Sequence, residues 1–131
     1  MATTYPVGTG SGGVGTSVAR LEIKSQVNGE SEGTFFAANV SNANSPLYPQ
    51  ELSISAATFT AVSVPTKAGG VVIQPPASNT QTITLKGVTG DTGVLLSKTA
   101  PTTLTFDTTP PASIGILTGA GSAQTFKFYW F

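Results

Sequence analysis

Between residues 81 and 106 the chain alternates polar and apolar side chains with a period of two. Thr82, Thr84 and Lys86 alternate with Ile83 and Leu85, and after an interruption Thr103 and Thr105 alternate with Leu104 and Phe106. Successive side chains of an extended strand point to opposite sides, so this spacing predicts strands with one buried and one wet face. The interruption, Gly87-Val88-Thr89-Gly90-Asp91-Thr92-Gly93, predicts a turn in which glycine supplies positive φ. No segment of helix length repeats its apolar residues every 3.6 positions. The chain must therefore bury its apolar side chains as sheet.

At 131 residues the chain is one domain, long enough to bury about two-thirds of the surface its unfolded form exposes. Cysteine and histidine are both absent. That removes the commonest general base and metal ligand and argues against most enzymes, and no cofactor is expected. Six basic side chains (Arg20, Lys24, Lys67, Lys86, Lys98, Lys127) balance six acidic ones (Glu22, Glu30, Glu32, Glu51, Asp91, Asp107), scattered along the chain. Phosphate binding needs concentrated positive charge, so nucleic acid is not an expected partner. Charged residues make up 9% of the chain, against about a quarter in ordinary soluble domains. Threonine and serine cover the surface instead, and so little charge does little to hold copies apart, which predicts a homo-oligomer or assembly onto a larger body. No apolar run has the length of a membrane span, and the start has neither the basic nor the apolar part of a signal peptide. The expectation is synthesis in the cytoplasm without membrane contact.

Taken in order, residues 1–16 are glycine-rich, with Tyr5, Pro6 and Val7 as their apolar cluster. They predict a flexible arm anchored by those three residues and fixed on a neighbouring subunit. Residues 17–131 are the β-domain. Over residues 18–24, Ala19, Leu21 and Ile23 share one face and Arg20, Glu22 and Lys24 the other. Asn28-Gly29 suits a hairpin turn, and a second strand follows over 33–40. Residues 41–50 read as a loop. Residues 51–64 are β-prone and broken near Ala56-Ala57, 71–74 and 114–117 are short apolar strands, and 124–131 is the last. About eight strands at this spacing match a β-sandwich or jelly roll. In the last strand Phe126, Phe128 and Trp130 point to the core, while Thr125, Lys127, Tyr129 and Phe131 point away. Tyr129 and Phe131 thus belong either to the core rim or to a subunit contact.

Asp91-Thr92-Gly93 has the tripeptide of retroviral-type aspartic proteases, but Gly90 precedes it, Val94 follows it, and the remaining chain is too short for such a protomer. The turn reading, with the Asp91 carboxylate capping backbone amides, is preferred. Gly87, Gly90 and Gly93 lack the lysine, hydroxyl and helix of a phosphate-binding loop. Glu30, Glu32 and Asp107 lack the ligand density of a calcium site, and no spacing of the acids favours glycoside hydrolysis.

Residues 70–131 resemble the C-terminal half of small structural proteins from the virions of tailed bacteriophages. The resemblance is carried by Ile83-Thr84-Leu85-Lys86-Gly87, Gly90-Asp91-Thr92-Gly93-Val94, Pro101 with Leu104, Ile116-Leu117-Thr118 and the closing aromatic strand. It implies a non-enzymatic capsid decoration (cement) protein on the virion surface. Its partners would be the major capsid protein or other virion proteins, its form a homo-oligomer with a trimer favoured, and its arm would reach a neighbour. The contact residues would be Tyr5, Pro6, Val7, Tyr129 and Phe131. The alternatives are a tail or fibre component, and a carbohydrate-binding adhesin module, which would show a line of exposed aromatics on one sheet face.

Overall fold

The computed structural model describes residues 16–25, 33–43 and 48–131. Its regular structure among these residues is entirely β. Ten strands run in order: β1 Ser17–Ser25, β2 Gly33–Asn42, β3 Tyr48–Ile54, β4 Thr60–Ser63, β5 Gly70–Gln74, β6 Ile83–Lys86, β7 Val94–Leu96, β8 Thr102–Thr105, β9 Ser113–Thr118 and β10 Gln124–Trp130. All the pairings are antiparallel. The expected arm, apart from Thr16, and the Asn28-Gly29 turn lie outside the described residues.

From β3 onward the pairing is nested: β3 with β10, β4 with β9, β5 with β8, and β6 with β7. Two further ladders, β10 with β5 and β9 with β6, join these pairs into sheets of order β3-β10-β5-β8 and β4-β9-β6-β7. One apolar cluster draws on both. The first sheet contributes Ile54, Val71, Ile73, Phe126, Phe128 and Trp130, and the second Val62, Ile83, Ile114 and Ile116. Strand β10 is central to this core because three of its inward positions, Phe126, Phe128 and Trp130, are large aromatics and fully buried. Phe128 stacks on Phe126 with ring centroids 6.3 Å apart and on Trp130 at 6.0 Å, and the Trp130 indole N–H donates to Gln50 Oε1 at 3.1 Å. This satisfies the one polar atom that burying a tryptophan brings with it.

The structure departs from the sequence reading in three places. Ten strands replace about eight. The segment over 41–50 is not all loop, because β2 continues to Asn42 and β3 begins at Tyr48. Pro49 fits there because β3 is an edge strand, where a residue without an N–H is tolerated. Finally, the outward alternation of β10 stops at Tyr129. Phe131 is 3% exposed: its amide donates to Gly70 O at 3.1 Å, and its carbonyl accepts from Gly69 N at 2.6 Å. A side chain on Gly70 would run into the Phe131 ring and the Leu104 carbonyl, so the close approach requires glycine. The expected break at Ala56-Ala57 is present, with Ala57 at φ 53°.

Strands β1 and β2 form a separate two-stranded ribbon. Its base is tied to the rest by the Asn42 side-chain amide, which donates to Lys67 O at 2.9 Å and to Phe131 O at 3.5 Å.

Candidate functional site

The turn after β6 is built around Asp91. Its Oδ2 accepts from the amides of Gly87 and Val88, both at 2.9 Å, and its own amide donates to Val88 O at 3.1 Å. The carboxylate is a turn cap, as the glycine spacing predicted. An open cleft of about 620 Å³ beside it is lined by Leu85, Lys86, Thr92, Val94, Pro111 and Ile114 among others, with Asp91 as its sole carboxylate. Acid–base hydrolysis by paired carboxylates therefore has no second group in this cleft. No group of three or more acidic residues that could hold a metal occurs among the described residues.

Surfaces offer more. The register of the ribbon pairs Ala19 with Val40, Leu21 with Ala38, and Ile23 with Phe36. Directly opposed residues of an antiparallel pair share a face, so these six apolar residues lie together on one face of the ribbon, with the Ser17–Asn42 pair at its base. The expectation for β1 was one wet face and one buried face. Instead Ile23 is 56% and Phe36 48% exposed, and the other four are half-buried. The reverse face carries the ribbon's charges beside the exposed Val18 and Ala37, and the charges pair with one another: Arg20 Nε lies 2.9 Å and Lys24 Nζ 3.3 Å from the Glu22 carboxylate, and Arg20 also donates to Asn39 Oδ1 at 3.1 Å. The hydrogen bond from Arg20, and then that from Lys24, holds the Glu22 carboxyl below the usual glutamate range. The apolar ribbon face was only half legible in sequence. The β1 alternation placed Ala19, Leu21 and Ile23 together, but which β2 residues oppose them depends on the pairing register, which alternation within one strand does not fix.

Of the residues predicted to make contacts, Tyr5, Pro6 and Val7 lie outside the described residues. Tyr129 and Phe131, predicted as neighbours on one face, are separated. Tyr129 is 42% exposed on the outer face of its sheet, opposite Pro49. It lines a shallow hollow with Gln50, Glu51 and Lys127, where Lys127 Nζ stands 3.7 Å from Glu51 Oε1. Phe131 is folded inward. The other aromatics of β10 are fully buried, so among the described residues this strand presents one exposed ring and not the line of rings that a sugar platform uses. Val88, Val94 and Leu95 are exposed at the β6–β7 end, with Leu95 reaching 72%.

Compared with protein-family models, with curated proteins and with solved structures, the chain matches none.

Proposed function

We propose that the chain is a non-enzymatic structural component of a tailed-phage virion, a capsid decoration protein that binds over joints between capsid subunits. The observation that carries an assembly role is the apolar face of the β1–β2 ribbon, where Ile23 and Phe36 stand about half exposed in a chain with few charged side chains. A monomer seldom leaves such a face uncovered, and a ribbon of two strands is at best marginal in water by itself. The resemblance of residues 70–131 to phage structural proteins supports the virion as the larger body. The nested pairing supports a finer reading of the fold. Eight strands laid out as one long hairpin and wrapped into two four-stranded sheets make a jelly-roll sandwich, an architecture that viral capsid domains use. The partners are the major capsid protein and further copies of the chain, a trimer being favoured, with contacts through the ribbon, through Tyr129 and through the Tyr5-Pro6-Val7 cluster.

The test is addition of purified chain to phage heads and, separately, to tails that lack it, followed by sedimentation. Saturable co-sedimentation with heads, weakened at least tenfold by Ile23→Asp with Phe36→Asp, is the expected result. Binding to tails alone would overturn the decoration reading in favour of a tail or fibre part. Binding to a polysaccharide and to neither particle would favour the adhesin.

A further inference from the structure

We propose that strand β7 is a self-association edge, at which two copies of the chain pair β7 against β7 antiparallel about a two-fold axis through Leu95. Each four-stranded sheet has two outer strands, β3 and β8 in one and β4 and β7 in the other. The open row of backbone groups on an outer strand accepts a further strand unless something guards it. Strand β3 carries Pro49 and Glu51. Strand β8 has the ribbon beside it, since Thr103 lines a groove with Leu21, Ile23 and Phe36. Strand β4 exposes small side chains, Ala61 and Ser63. Strand β7 is Val94-Leu95-Leu96, without proline or charge, and Val94 is 62% and Leu95 72% exposed. Among the described residues no strand pairs with its far side.

A two-fold contact sets the middle of the strand against its own copy and each end against the opposite end, so it needs an uncharged middle and ends of complementary charge. Strand β7 has both. Leu95 lies opposite Thr84, and Thr84 opposite Leu117. These three occupy the outer face of the sheet, because Ile83 and Ile116, which alternate with them, belong to the core. Pairing β7 with its copy makes one eight-stranded sheet in which the row Leu117, Thr84, Leu95 meets the same row of the second copy, Leu95 against Leu95. Asp91 stands before β7 and Lys98 after it, both exposed. The antiparallel arrangement lays the Asp91 end of each copy along the Lys98 end of the other. Asp91 Oδ2 is taken by the turn amides of Gly87 and Val88, which leaves Oδ1 for the second copy's lysine, and no ion pair among the described residues engages Lys98. Lys86, also at the Asp91 end, is turned to the Thr89 carbonyl, to which it donates at 3.2 Å. A ladder of three residues is a small contact, and interfaces below about 1,200 Å² hold transiently, so the pairing depends on protein concentration. It leaves the ribbon face free and does not depend on the virion reading.

The test is sedimentation of the full chain from micromolar to millimolar concentration in an Ile23→Asp, Phe36→Asp background, which removes association through the ribbon. A monomer–dimer equilibrium is expected there. Leu95→Asp should weaken it at least tenfold, and Lys98→Glu, which sets a carboxylate against the second copy's Asp91, should weaken it severalfold. The chain has no cysteine, so cross-linking reports cleanly. Opposed residues of an antiparallel pair have Cα atoms about 4.5 to 5.5 Å apart, within the span of about 4.4 to 6.8 Å that a disulfide bridges. Leu95→Cys should therefore oxidise to a covalent dimer at least tenfold faster than Val18→Cys, a position 54% exposed on the reverse face of the ribbon. A monomer throughout the concentration range, a dimer indifferent to Leu95→Asp, or equal oxidation at the two positions would each overturn the proposal. None of these results bears on binding to phage heads through the ribbon.

Discussion

Gly93 closes the turn after β6 with φ +75°, and a Cβ there would lie 2.6 Å from the Leu85 carbonyl oxygen and 2.6 Å from Thr84 Cγ2. Both the torsion and the space exclude an L side chain, because the left-handed region crowds Cβ and the Leu85 carbonyl belongs to the backbone of the neighbouring strand. Gly90, three residues earlier, has open space around its Cβ position and no positive φ. The glycine spacing suggested that the turn needs positive φ, and the geometry assigns that need to one residue. Gly93→Ala should lower unfolding stability by about 1 to 3 kcal/mol, while Gly90→Ala should stay within about 0.5 kcal/mol of the parent. Chemical denaturation midpoints of the two variants check this, and equal losses would contradict the assignment.

Among the elements, β10 was the most legible in sequence because its inward positions are Phe, Phe and Trp and its outward ones are not. Strict alternation with large aromatics leaves one register in which they are buried. The same rule failed at Phe131, since alternation holds only while the chain stays extended. The residue after Trp130 turns inward to bond Gly69 and Gly70, a long-range contact that no local pattern announces. Strand β3 was read short for a related reason: Pro49 looks like a loop residue until the sheet order makes β3 an edge. The packing of β10 leads to a contrast. Phe128 is fully buried between the Phe126 and Trp130 rings, so Phe128→Ala should cost about 3 to 5 kcal/mol. Tyr129, next in sequence and pointing outward, should cost less than about 1 kcal/mol of stability as Ala, so that any loss of partner binding in Tyr129→Ala is a loss of contact. Paired unfolding curves distinguish the two, and similar destabilisation in both would mean that Tyr129 is part of the fold's support.

For the whole molecule, what reaches the surface decides how it associates. Six positive and six negative side chains sum to zero. Several are already engaged within the chain, as in the Arg20–Glu22–Lys24 group and the Lys127–Glu51 pair. The exposed groups without such internal pairing include Ile23, Phe36, Val94, Leu95 and Tyr129, so apolar burial is the available driving force. Salt acts on association through unpaired or steering charge, and the charged side chains of this chain are few and sum to zero. Between about 0.01 M and about 0.15 M salt the Debye length shrinks from roughly 30 Å to roughly 8 Å. Over that range affinity for the assembled partner should change by less than about threefold. Titration calorimetry at several temperatures should also show a negative heat-capacity change, the mark of apolar surface leaving water. A steep fall in affinity with salt, together with a heat-capacity change near zero, would mean that the partner is held by its own charges through the few ions this chain carries.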